Sequence, residues 1–72
     1  MQPKEITNRF TYHAPNYEQI KLHTTIRNIA YNFASCINGL VPDSPEKDMA
    51  INKLDEAVMW ANAAIARNEN AE

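Results

Sequence analysis

The chain predicts an all-α fold, an antiparallel helical hairpin with an ordered N-terminal arm that assembles into a homo-oligomer. Three observations lead there. Two long segments carry apolar residues at alternating spacings of three and four, the period of a helix with one sticky face. Only the turn-forming stretch VPDSP separates them, which makes the two helices antiparallel neighbours. Finally, a single domain of 72 residues buries only about 60% of its unfolded surface and needs a supplement to its core. Cys36 is the only cysteine, so no intrachain disulfide and no multi-cysteine zinc site is available. His13 and His23 lack ligand companions at metal-binding spacing. Association with further copies is the supplement that remains.

The arm is MQPKEITNRFTYHAP, residues 1–15. It mixes turn formers with Phe10, Tyr12 and His13, and its alternation is too brief for a strand. The first helix is expected over about 16–38. Asn16 can cap it, Gln19 can complete a capping box, and Gly39 stands where a C-cap belongs. Leu22, Ile26, Ile29, Phe33, Ile37 and Leu40 form its apolar stripe, along a rod of about 33 Å at 1.5 Å per residue. The second helix is expected over about 45–68, opened by Ser44 as N-cap, Pro45 in the first turn and Glu46 facing the helix dipole. Its stripe is Ile51, Leu54, Val58, Ala61 and Ile65. The end of that helix, AVMWANAAIA, is apolar nearly all round, and Met59 and Trp60 fall off the stripe, so they should meet another subunit. Residues 69–72 read as a frayed polar tail, the whole chain forming a single domain.

Composition narrows function mainly by exclusion. A net charge of −2, a pI of about 5.6 and the lack of any Lys/Arg run leave no footprint for long nucleic acid. No signal-peptide pattern and no membrane-length apolar stretch occurs, so the chain reads as cytosolic. No catalytic triad, phosphate-cradling glycine loop, metal motif or cofactor motif is present, which argues against an enzyme. Cys36 reads as a small buried hydrophobe beside Ile37, and His23 as solvated or interfacial.

Two constellations could hold a small anion. Arg67 closes the alanine-rich end of the second helix; if several subunits converge there, their guanidinium groups converge too and call for an anion, phosphate above all. Equally, a lone arginine there could simply complement the helix dipole. Tyr12 could stack on a base while Arg27 holds phosphate, although Tyr12 could instead dock the arm and Arg27 lie at the surface.

The segments FTYHAP, TTIRNIAYNFASCI, PDSPEK and LDEAVMWANAAIAR, in that order and spacing, resemble the phage anti-CBASS cyclic-nucleotide sponge family. The likeness covers about residues 9–68. It implies a homohexamer, acting in the host bacterial cytoplasm, that sequesters cyclic oligonucleotide signals so that their effector is never switched on. It further implies a cyclic dinucleotide pocket between paired subunits, matched by Tyr12 and Arg27 with His13 and Asn28 beside them. A second pocket for cyclic trinucleotides, on a threefold axis, is matched by Arg67 with Ala61, Asn62 and Ile65 around it. Arg27 stands where the family also uses lysine, and a planar fork in place of a point charge bears on which dinucleotide is preferred. A helical oligomer that binds a host protein through Met59 and Trp60, a helix-turn-helix DNA binder and a nucleotide-cleaving enzyme are the competing readings.

Overall fold

A computed structural model describes residues 1–68 and consists of three helices: α1 over Pro3–Phe10, α2 over Tyr17–Leu40 and α3 over Pro45–Arg67. No strand occurs among the described residues. The polar tail expected over 69–72 lies outside them.

The arm is therefore helical over part of its length. Pro3 opens α1, Glu5 lies in the first turn and Arg9 in the last, a charge order that suits the helix dipole. Eight residues are too few to read as a helix from apolar period, and α1 buries none of them.

The start of α2 is the capping box read from the sequence. Asn16 Oδ1 accepts from the Gln19 backbone N–H at 2.8 Å, and Gln19 Oε1 accepts from the Asn16 N–H at 2.9 Å. Its end differs from expectation. Gly39 stays inside the helix, which continues to Leu40, and no glycine takes a positive φ. Val41 is extended because it precedes Pro42, and that stops the helix. Ser44 caps α3 by accepting from the Lys47 N–H at 3.1 Å, with Pro45 in the first turn as expected.

α2 and α3 pack as an antiparallel pair, pinned at three levels. Lys47 Nζ donates to the Asn38 carbonyl at 2.8 Å near the turn. His23 Nδ1 lies 2.8 Å from Asn62 Oδ1 in the far half, and Gln19 Nε2 donates to the Ile65 carbonyl at 2.9 Å at the open end. Among the described residues Gln19 and Lys47 are the two buried ones, at 5% and 7% exposure.

On α3 the stripe Ile51, Leu54, Val58, Ala61 and Ile65 lies in the seam, each residue half-buried. On α2 the seam is not the expected stripe. Ile26 and Ile37 belong to it, joined by His23, Ala30 and Ala34, whereas Leu22, Ile29, Phe33 and Leu40 are exposed. At 3.6 residues per turn the contact line is rotated by roughly 80° from the exposed apolar line. Two causes act together: the alanines let α3 approach closely, and the Gln19 and His23 hydrogen bonds fix the rotation. Cys36, expected to be buried, is exposed and shares the outer line with Ile29, Phe33 and Leu40.

Candidate functional site

Two cavities hold the arginines singled out above. The larger, an open cavity of about 640 Å³, lies between α1 and the last turn of α3 and is lined by Lys4, Glu5, Thr7, Asn8, Thr11, His13 and Arg67. Arg67 is half-buried there, on the face of α3 turned away from the α2 seam. His13 follows α1, and its Nε2 lies 2.7 Å from the Asn8 carbonyl oxygen. A carbonyl only accepts, so Nε2 carries the hydrogen and Nδ1 is left as the ring's acceptor.

The second cavity, about 320 Å³, lies in the groove between α2 and α3. Arg27, Tyr31 and Asp55 rim it over a floor of Ala30, Ala34, Ile51, Leu54 and Val58. No ion pair links Arg27 to Asp55 among the described residues. The guanidinium therefore keeps its donors available while sharing a groove with an aromatic ring and a carboxylate.

Sequence reasoning grouped these residues differently. His13 was paired with Arg27 but shares its cavity with Arg67. Tyr12 lies in the connection before α2, 85% exposed, and lines neither cavity; Asn28 is exposed on α2. Tyr12 is not among the residues around the Arg27 groove, so the two do not share a cavity within one chain. Around Arg67 the expected companions are also elsewhere. Ala61 lies in the seam, Asn62 is engaged by His23, and Ile65 offers its carbonyl to Gln19.

Tyr31, Asp55 and the α1 residues Lys4, Thr7 and Asn8 were not singled out for ligand contact. For Tyr31 the signal was present, four positions after Arg27 on one helix face. For the α1 residues no local pattern exists, because their meeting with Arg67 depends on how α1 folds back.

Lys47 holds the Asp43 carboxyl below its ordinary value of 3.8, first through a hydrogen bond of 2.9 Å and then through its charge. No cluster of three or more His, Cys, Asp or Glu able to hold a metal occurs among the described residues. No helix among them is long and apolar enough to cross a membrane.

No curated protein and no solved structure matches the chain. A family model does: that described as Acb2/Tad1, hairpin domain, matches residues 2–66, from α1 through nearly the whole of α3. The matched region takes in both cavities except for Arg67, one position beyond its end, and the chain belongs to the Acb2/Tad1 hairpin family, the anti-CBASS sponge family its motifs resemble.

Proposed function

We propose that this chain is a phage anti-defence protein that sequesters the cyclic di- and trinucleotide signals of bacterial CBASS immunity in the host cytoplasm and releases them chemically unchanged. Family membership carries the reading. The two arginine-bearing cavities support it, since each holds a guanidinium that makes no ion pair among the described residues. In this reading Tyr12 of one subunit stacks on a base while Arg27 of another neutralises phosphate, with His13 and Asn28 at the edge of the dinucleotide pocket. Three copies of Arg67 hold a trinucleotide ring, and Ala61, Asn62 and Ile65 lie near its bases. Six copies form the working assembly. The separation of Tyr12 from Arg27 within one chain supports a pocket built from two.

A sponge acts by stoichiometry rather than turnover. To compete for a micromolar signal it needs dissociation constants near nanomolar, about −12 kcal/mol. In this reading the chain's own chemistry is binding: orienting bases and neutralising phosphates.

The test is to incubate the protein with cyclic di- and trinucleotides, measure thermal stabilisation, then denature it and identify the released nucleotide by mass spectrometry. Stabilisation of several degrees with intact recovery is expected. Cleaved nucleotide would mean an enzyme. Arg27→Ala should abolish dinucleotide binding and spare trinucleotides, and Arg67→Ala the reverse; loss of both ligands in either still-assembled variant overturns the two-pocket reading. Met59 and Trp60, each 64% exposed, favour a second reading in which this face docks a host protein. That reading expects no stabilisation by any cyclic nucleotide.

A further inference from the structure

Lys4 occupies a place that helix energetics do not explain. It lies in the first turn of α1, where the dipole disfavours a cation, and α1 is a short, exposed helix. Yet Lys4 lines the same cavity of about 640 Å³ as Arg67, and among the described residues neither cation stands in an ion pair. Thr7 follows Lys4 by three positions, so its hydroxyl lies on the same helix face and lines the cavity as well. His13, fixed by its hydrogen bond to the Asn8 carbonyl, bounds the cavity on the side of the connection. Among the described residues Glu5 is the one acid in the lining. The wall facing Arg67 thus carries two donors suited to phosphate oxygens, an ammonium and a hydroxyl, and an imidazole whose free Nδ1 can accept from a base edge.

We propose that α1 is a wall of the Arg67 ligand site and that Lys4 supplies its second cation, so that each phosphate of a cyclic trinucleotide is held between the guanidinium of α3 and the ammonium of α1. The inference rests on Arg67 binding trinucleotide and adds the N-terminal helix to that site. Lys4 and Arg67 differ in kind: the fork of Arg67 sets the orientation of a phosphate, while the compact ammonium follows it as a point charge. Lys4 should therefore contribute affinity more than selectivity.

Calorimetric titration with cyclic triadenylate tests this on the full-length protein. Lys4→Gln should weaken binding roughly tenfold or more and lower its dependence on salt, because one charge-assisted contact is lost. Lys4→Arg should restore most of the affinity, and Glu5→Gln should raise it. Arg9→Gln, which removes a cation from the same helix outside the cavity, should leave affinity within twofold, separating a contact from general charge. The charge removed from the first turn of α1 was unfavourable to the helix, so Lys4→Gln is not expected to unfold it, and circular dichroism checks that. Unchanged affinity in Lys4→Gln, or an equal loss in Arg9→Gln, overturns the assignment of Lys4 while leaving the Arg67 site standing. Full affinity in Arg67→Ala would instead overturn the reading beneath it, and the inference would fall with it.

Discussion

Lys47 and Asp43 show what one residue contributes when the chain has little core. The ammonium is buried and donates to the Asn38 carbonyl near the end of α2, closing that helix in place of the glycine cap that Gly39 seemed positioned to make. Lys47→Met would leave that carbonyl without its partner, and a loss of about 1–3 kcal/mol is expected, read as a lower urea midpoint at unchanged slope. The partner carboxylate sets a pH dependence. Folding lowers the Asp43 pKa, so its stabilising effect is present above the ordinary 3.8 and lost as pH falls through the lower folded value. Asp43→Asn should remove that part of the acid sensitivity and lower stability near neutral pH by the same amount, a small one because the carboxylate is solvent-exposed. An acid titration of the wild type and variant that superimpose would refute the assignment.

At the scale of elements, the parts that were legible in the sequence are those specified by short-range chemistry. The Asn16–Gln19 box, the Ser44–Pro45 start and the α3 stripe each depend on neighbours within a few positions, and each is present. The rotation of α2 was not legible, because its apolar arc is wide enough to serve two faces, and the choice between them is made across the seam by Gln19 and His23. The stop after Leu40 is encoded in Val41–Pro42, a signal that competes with Gly39 only two positions earlier. The candidate site shows the same division: Arg27 and Arg67 can be named from their positions, whereas the company Arg67 keeps depends on how α1 folds back. Gln19 joins both scales, since one side chain closes the box and reaches the Ile65 carbonyl. Gln19→Ala should therefore cost about 1–3 kcal/mol, more than an exposed cap, and raise amide exchange in the last turn of α3.

As a whole molecule the isolated chain is unfinished. It exposes 5995 Å², where a compact monomer of its mass would expose about 4,500 Å², and no apolar side chain is fully buried among the described residues. Leu22, Ile29, Phe33 and Leu40 line the outer face of α2. Association through that face is expected, and light scattering at micromolar concentration should return a multiple of the chain mass. Phe33→Glu should drive the mass toward one chain and lower the melting temperature. Cys36 lies on the same face and reports on it: its thiol should be slow toward maleimide in the assembly and fast in Phe33→Glu. Equal rates with a monomeric mass in both would show that the face stays open.

The buried ammonium at the hairpin turn also has a chemical meaning apart from stability. Acylation requires a neutral, accessible amine, and Lys47 is held by two hydrogen bonds, whereas Lys21 and Lys53 stand mostly in solvent. Under a mild acylating reagent Lys47 should be modified far more slowly than either. Its labelling proceeds only through opening of the turn, which makes that single amine a built-in clock for how often the hairpin comes apart.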